Sequence, residues 1–459
     1  MSFEFNLDRS KPPVVAKSKD VKFPAYFEAK LANGIKVFVI EDDKIPLVTA
    51  KFVMKTGTYD ELAFGEDKSG LASITSDLLV KGTEGMNAVK VAETVDYFGA
   101  SLNSGCEYDA TYLALTSLKK YFTDLFGLAS RLLMNPSFLE EEIEREKQQI
   151  TNSLLSYLDE GSFLSERAYK INVYKNSPYK LNIEGKISSV ENIRQEYIKE
   201  FFGKYFNPQN LVIAIVGDIK KNEALALVNS KFGNWNPGKH STGAAYTDIL
   251  GEKTKIIAVE KKGAVQSEIL MGHLGVNRNT PDFIPVMVMN TLLGGFFTSR
   301  INKNLREVNG YTYGARSYFN FRKFSGDFCI ETNVENSLTY NAVNEIIKEL
   351  NILRNEKITA DELDSVKNYL SGSFPLQLET PNAIANKILN LELYGIGKDF
   401  YESYITRINE VSIDDVKRVS QEYIHPDKLV ISIAGNTGII KSSMEQIAEV
   451  EVIKNINEL

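Results

Sequence analysis

The sequence predicts an α+β fold made twice: two homologous domains from an internal duplication, each a sheet flanked by helices. Three observations carry this. Asn207–Asp218 (NPQNLVIAIVGD) matches His425–Asn436 (HPDKLVISIAGN) at six of twelve positions. Pro208, Leu211, Val212, Ile213, Ile215 and Gly217 fall on Pro426, Leu429, Val430, Ile431, Ile433 and Gly435, an offset of 218. Phe138–Lys147 (FLEEEIEREK) echoes Ile358–Lys367 (ITADELDSVK) at offset 220, with Glu142, Ile143 and Lys147 on Glu362, Leu363 and Lys367. Finally, strand pairs in the first half are separated by paired helices, which suits α+β rather than a strictly alternating parallel sheet.

Taken in order, Asn33-Gly34 opens a turn and the β-branched run that follows reads as a strand. Ala88, Val91, Ala92, Val95 and Phe98 have helical spacing. Cys106–Leu118 (CEYDATYLALTSL) reads as a strand, and Phe122, Leu125, Phe126, Ala129 and Leu132 mark one face of a helix that Pro136 ends. A long charged helix runs from about Phe138 to Leu158; its EEEIEREK run reads as a solvated face. The Gly-, Pro- and Ser-bearing stretch from Asn234 to Lys253 has linker composition. The expected division is a first domain at 1–235, a linker at 236–252 and a second domain at 253–459.

Lys and Arg number 53 against 60 Asp and Glu, a formal net charge of −7, which argues against nucleic acid as the main ligand. No stretch approaches the ~20 apolar residues of a membrane helix. The first thirty residues hold no apolar signal-peptide core, so the chain is either cytoplasmic or a mature form whose leader was replaced by Met1-Ser2. Cys106 and Cys329 are too few for a disulfide framework and read as free core thiols, although one bridge between halves is open.

The run Gly70–Glu84 (GLASITSDLLVKGTE) resembles the signature helix of the pitrilysin/insulinase superfamily of zinc metallopeptidases. Gly70, Leu71, Ala72, Leu79, Lys81, Gly82 and Thr83 keep the frame, and LANGIKVFVIED, FGASLNSGCEYDATYLAL and IEREKQQI fall where that family has matching segments. The similarity covers nearly the whole chain, which resembles mitochondrial processing peptidase and its bacterial relatives of similar length. It implies half of a clamshell-shaped molecule, in the bacterial cytoplasm or periplasm.

In active members an inverted H-x-x-E-H motif supplies two imidazole ligands on one helix face, with a glutamate between them as base for the zinc-bound water. Here those positions are Ser73, Ser76 and Asp77. A serine hydroxyl is a poor neutral ligand and no base at neutral pH, and Asp77 alone binds metal weakly. The resemblance puts the third ligand, a glutamate in the family, at Ser153, or at Asn152 if the register slips. Glu146 lies about 10.5 Å away along a helix at ~1.5 Å per residue and cannot substitute. Independently, the three histidines are His240, His273 and His425, so no two-histidine site can form in the first domain. His240 falls in the linker, His273 in a strand, and His425 is the repeat-mate of Asn207; all three read as scattered structural residues.

Leu292–Phe319 (LLGGFFTSRINKNLREVNGYTYGARSYF) resembles the family's second-half signature. There an Arg and a Tyr face the zinc across a closed chamber and donate hydrogen bonds to the substrate backbone and the oxyanion. By motif match these are Arg306 and Tyr313. The bland reading of the same residues is a solvated helix Arg beside Glu307 and a core Tyr. Gly294-Gly295 permits a tight backbone path. The segment GASLNSGCEYDATYL resembles the edge strand that pairs with extended peptide in the family, and its small residues Ala100, Ser101, Ser104 and Gly105 permit close approach.

The resemblance therefore implies a zinc-free, non-catalytic subunit with no cofactor of its own. It expects a homologous partner carrying H-x-x-E-H and zinc, a heterodimer, and unfolded peptides as substrates. The alternative is a non-proteolytic peptide-binding homodimer, or a scaffold like the core subunits of respiratory complex III. A metal held by Asp77 and other carboxylates finds no support in the sequence.

Overall fold

The β-branched runs around Val37–Ile40, Leu211–Val216 and Ile256–Val259 have no room for a polar face, and each becomes an inner strand of a sheet. A computed structural model describes residues 22–238 and 245–454. His240, part of the linker and the segment before residue 22 lie outside the described residues.

Among the described residues there are fourteen strands: β1 (Phe27–Lys30), β2 (Lys36–Glu41), β3 (Leu47–Met54), β4 (Gly82–Thr83), β5 (Met86–Asn87), β6 (Ser101–Cys106), β7 (Thr111–Leu118), β8 (Leu211–Gly217), β9 (Lys255–Glu260), β10 (Gln266–Leu274), β11 (Ala315–Phe321), β12 (Gly326–Glu335), β13 (Val430–Gly435) and β14 (Val450–Ile453). Apart from the small β4-β5 hairpin they make two six-stranded sheets, in the orders β1-β2-β8-β3-β7-β6 and β14-β9-β13-β10-β12-β11. In each sheet the repeat strand, β8 or β13, lies parallel to one neighbour and antiparallel to the other. The duplication thus appears as matching topology. Gly217 and Gly435 recur for steric reasons: a Cβ on Gly217 (φ +138°) would lie 2.1 Å from the Leu47 carbonyl oxygen, and one on Gly435 would lie 2.7 Å from Asn336 Oδ1.

The two echoed charged segments are both helices, Glu140–Tyr157 and Ala360–Ser373. Helix Lys119–Met134 stops just before Pro136. One face of the first sheet is buried under that helix and under Gln195–Tyr205 and Lys221–Phe232. Its other face is covered by Pro381–Leu393, a helix from the second half, and Lys36 and Lys55 both reach Glu392 on it (2.6 and 3.3 Å). In return, helix Gly161–Val173 of the first half packs on the second sheet through Leu164 and Ala168, against Ile257, Val259 and Ala434. Each half lends a helix to the other, so the core is shared across the sequence boundary.

The joint is aromatic. Tyr169 donates to the Phe328 carbonyl (2.8 Å), Tyr179 donates to Asp109 (2.6 Å), and the Arg322 guanidinium lies 4.2 Å from the Tyr108 ring centroid. Cys106 and Cys329 are both free thiols. Among the described residues one helical stretch, Phe283–Val308, has the length and apolarity of a membrane span, where the sequence reading saw none. Two π-helical turns and a break at Phe296–Ser299 interrupt it, and Ile284, Val288, Leu293, Ile301 and Leu305 are buried in the second-half core.

Candidate functional site

Helix Leu71–Asp77 carries the zinc-motif positions. Gly70 precedes it at φ +95°, and a Cβ there would lie 2.6 Å from the Glu184 carbonyl oxygen, so only glycine fits. The helix start is held from a distance. Glu61, fully buried, accepts the backbone N–H of Gly70 (3.0 Å) and of Ala72 (2.9 Å). Burial pushes its carboxyl up to about 8, outweighing the backbone donors that favour the charged form. Sequence reasoning missed Glu61, since it caps a helix that begins ten residues further on and no local capping pattern announces it.

Ser73 and Ser76 are buried, and the Ser76 hydroxyl, at the position of the catalytic base, has no hydrogen-bond partner. Asp77 is partly buried. Burial first, and then the charge of Glu146, push its carboxyl up to about 7, while Lys81 works in the opposite direction. Glu146 itself is buried and ion-paired with Lys81 at 3.1 Å. Ser153 lies two turns further along helix Glu140–Tyr157 and is exposed. What stands in the place of a metal centre is a helix with two hydroxyls, one half-titrated carboxyl and a lysine-bound glutamate. Among the described residues no three His, Cys, Asp or Glu side chains come together as a ligand set.

The two described histidines differ from the scattered arrangement expected of them. His273 and His425 have rings 5.0 Å apart, and His273 Nε2 accepts the backbone N–H of His425 at 3.1 Å. Nδ1 therefore carries the proton and donates to the Leu274 carbonyl at 2.9 Å. Burial pushes His273 down to about 3, so it is neutral, with both nitrogens committed to the backbone. The pair is structural, as read, but contiguous.

The Arg/Tyr segment lies in the second half. Arg306 sits in the π-helical turn Lys303–Val308, half-buried, with its guanidinium 4.4 Å from the ring centroid of Phe297. Tyr313 occupies the turn before β11. That turn is tied internally: Thr312 Oγ1 accepts from Gly314 N (3.1 Å) and from Thr332 Oγ1 (3.2 Å), and Tyr311 N donates to the Leu305 carbonyl (2.8 Å). The Tyr313 side chain projects outward at 92% exposure, with no hydrogen bond or ring contact among the described residues. It is not a core tyrosine. Phe297 (65% exposed) and Val308 (72%) extend an apolar surface in the same segment, which the sequence reading did not single out. Gly294 has a role inside the fold, since a Cβ there would lie 2.4 Å from Ser317 Oγ. No hydrogen bond, ion pair or ring contact links this segment to the motif helix.

Among the described residues strand β6 is an edge strand, paired only with β7. Its outer backbone groups are open to a further strand. At Gly105 the Tyr112 hydroxyl oxygen lies 2.4 Å from where a Cβ would be, so a neighbour from within the chain occupies that space.

With this geometry in hand, the comparisons are concordant. The family description "Insulinase (Peptidase family M16)" matches residues 36–185, and "Peptidase M16 inactive domain" matches residues 192–370. The chain is 24% identical over 408 residues to a non-peptidase homolog, YmxG, of Helicobacter pylori, covering 86% of this chain and 93% of that one. A crystal structure of a peptidase M16 inactive domain from Pseudomonas fluorescens superposes with a TM-score of 0.84 at 23% identity, over 90% of this chain and 98% of that chain. The periplasmic protease PqqL from Escherichia coli superposes with a TM-score of 0.76 at 16% identity over 95% of this chain, but this is 51% of that longer chain. The two family matches together span most of the molecule, and the chain belongs to the insulinase family, peptidase family M16, as a member that lacks the zinc motif.

Proposed function

We propose that this chain is the non-catalytic half of a two-chain M16 peptidase. A homologous partner bearing H-x-x-E-H supplies zinc, general base and nucleophilic water. This chain supplies half of the chamber wall, the open edge of β6 for an extended peptide, and Arg306 and Tyr313 as donors to substrate. The observation that carries the reading is Tyr313: a tyrosine 92% exposed on a turn braced by its neighbours, in the same segment as a guanidinium stacked on an exposed phenylalanine. Among the described residues this phenol has no partner, which supports a role toward something outside its own chain. The superposition on about half of PqqL supports a second half of similar size. The substrate class is unfolded peptide, since a closed chamber excludes folded protein.

The test mixes Tyr313→Phe and Arg306→Ala variants with the zinc-bearing partner. Tyr313→Phe removes one hydroxyl and little volume. Loss of one oxyanion donor typically lowers kcat on the order of 10²–10³-fold. The expected outcome is an intact complex with reduced kcat, or a raised KM if the contacts hold substrate equally in ground and transition states. Full activity in intact complexes from both variants rejects the assignment and favours a scaffold.

A further inference from the structure

A second site lies where the two halves meet, and no residue of the motif helix lines it. A cavity of about 640 Å³ opens there, within the range of small-molecule sites. Lys51 lines it from β3. Arg278, Phe283, Phe319, Asn390 and Tyr394 line it from the second half.

The chemistry is set by Arg278. Its guanidinium lies 3.5 Å from the ring centroid of Phe283 and 4.9 Å from that of Phe400, so both rings take part in stacking it. Stacking satisfies the faces of a guanidinium and leaves its in-plane N–H donors over. Those donors make no hydrogen bond within the described residues, and no carboxylate lies within ion-pair distance. Two further cations crowd the same aromatic cluster: Lys387, 5.3 Å from the Tyr401 ring, and Arg407, 5.3 Å from the Phe400 ring. Neither has an ion-pair partner among the described residues. Burial holds Arg278 down to about 10, and burial together with Arg278's charge lowers Lys387.

Of the other charges at the cavity, Asp109, Arg322 and Lys51 have partners, and Glu107 lines it without a side-chain hydrogen bond or ion pair among the described residues. Asp109 accepts from Tyr179 (2.6 Å) and from Lys323 N (2.9 Å). Arg322 donates to Tyr174 (3.3 Å) and faces Asp327 at 3.8 Å. Lys51 hydrogen-bonds Asn386 and lies 4.6 Å from the Tyr112 ring, with Glu107 the acid nearby. Like charges gathered without a counter-ion in a partly desolvated place are unfavourable unless an anion joins them. A planar guanidinium with its edge free takes a carboxylate in bidentate fashion.

We propose that this cavity binds the carboxylate of an apolar acid, held by Arg278 at its charged end and by the aromatic walls along its body. The acid is either a free small molecule or the C-terminal residue of a peptide. Because the site is made by both halves of this chain, it requires no catalytic partner and is independent of the subunit reading above.

The experiment titrates the whole chain with N-acetylphenylalanine and with its amide, by calorimetry and by thermal shift. The acid should bind at least tenfold more tightly than the amide, weaken as salt is raised, and lose at least tenfold in Arg278→Gln. Asn390→Trp fills the mouth of the cavity from an exposed helix position and leaves the charges in place, so it should also abolish binding. This variant decides the matter if Arg278→Gln does not fold. A pentapeptide ending in Phe, with free or amidated C-terminus, separates the two sources. Tighter binding than N-acetylphenylalanine, seen with the free acid only, identifies a peptide terminus; binding of N-acetylphenylalanine alone identifies a small acid. Equal binding of acid and amide, no binding of any acid, or binding retained in Asn390→Trp overturns the proposal.

Discussion

The two halves share the order of five strands, β2-β8-β3-β7-β6 and β9-β13-β10-β12-β11, and differ in what they insert between β3 or β10 and the outer hairpin. In the first half, between β3 and β6, the insertion includes a buried helix on which Ser76 has no partner among the described residues and Asp77 is raised to about 7, with Glu61, from the turn before it, holding its start. In the second half, between β10 and β11, it is a helix broken by two π turns, with Phe297 and Tyr313 exposed and Arg306 half-buried against Phe297. The sheets close differently as well, with β1 antiparallel to β2 and β14 parallel to β9. One scaffold thus carries a helix that lacks the zinc-motif residues in one half and an exposed aromatic segment in the other. π turns recur at functional positions because an extra residue per turn re-aims side chains. The first half's helix has no such irregularity and shows the constraints of a core.

The largest expected effect asks whether the first half can be made to resemble an active one. Ser73→His, Ser76→Glu and Asp77→His together should bind zinc weakly. Adding Ser153→Glu should tighten binding at least ~10-fold, the scale on which lost supporting groups weaken metal sites. Elemental analysis and chelator competition measure both. Equal affinity for the triple and quadruple variants means the third ligand is misplaced. Stoichiometric zinc with peptidase activity in the unaltered chain removes the whole distinction between the halves.

Next in size is Glu61→Ala. It leaves two buried backbone N–H groups without acceptors and opens a cavity, and the expected loss is about 2–4 kcal/mol by denaturant unfolding. The counterpart in the second half is Thr359→Ala, at the exposed cap of helix Ala360–Ser373, where the side chain bonds Glu362 N at 3.2 Å. That change should cost only about 1 kcal/mol. A reversed ranking would mean that the motif helix is not held by Glu61.

The same pair of carboxylates should separate the halves by pH. Glu61 has a folded pKa of about 8, raised from 4.5, so the folded state holds the proton longer than the unfolded chain. Stability then falls as pH rises from about 4.5 to about 8. Asp77, raised to about 7, adds in the same direction. Glu362 behaves oppositely: the hydrogen bonds from Arg300 (2.6 and 2.9 Å) hold it down to about 2, so its contribution is complete above about 4.5 and is lost as pH falls through 2. Glu61→Gln should flatten the decline between pH 5 and 8 and leave the acid limb unchanged. A slope unaltered by Glu61→Gln would place the titrating group elsewhere.

What was legible in the sequence follows from the range over which each feature is specified. The repeated strands were visible because a fully buried strand must be apolar along its whole length, as β8 is. The loss of the zinc motif was visible because its residues lie within one helix turn of each other. The exchange of helices Gly161–Val173 and Pro381–Leu393 was not, since an amphipathic pattern fixes which face of a helix is buried and not the sheet that buries it. Glu61's distant cap and the His273–His425 contact, formed across 152 positions, join residues through tertiary structure alone. Tyr313 was named by motif, yet its exposure could not be read from YTYG, where a core tyrosine reads equally well.

The smallest expected effect is the one that bears most on the second half. Tyr313→Ala should leave the stability of the isolated chain within about 0.5 kcal/mol, the usual range for surface changes away from caps, cores and ion networks. Among the described residues the ring touches no other ring and its hydroxyl has no partner, while the turn beneath it is held by Thr312, Gly314 and Thr332. Phe297→Ala provides the contrast. That ring stacks on Arg306, so its loss should free the guanidinium and cost on the order of 0.5–1 kcal/mol, the scale of an exposed cation–π pair. Chemical denaturation of both variants measures the difference. A large loss for Tyr313→Ala would show that the tyrosine supports its own fold, and the exposed face would then need no partner to explain it. A negligible loss leaves an aromatic side chain maintained on a braced turn with nothing of its own chain to hold, and that is the condition under which its contribution to another chain's substrate can be measured without a folding defect in the background.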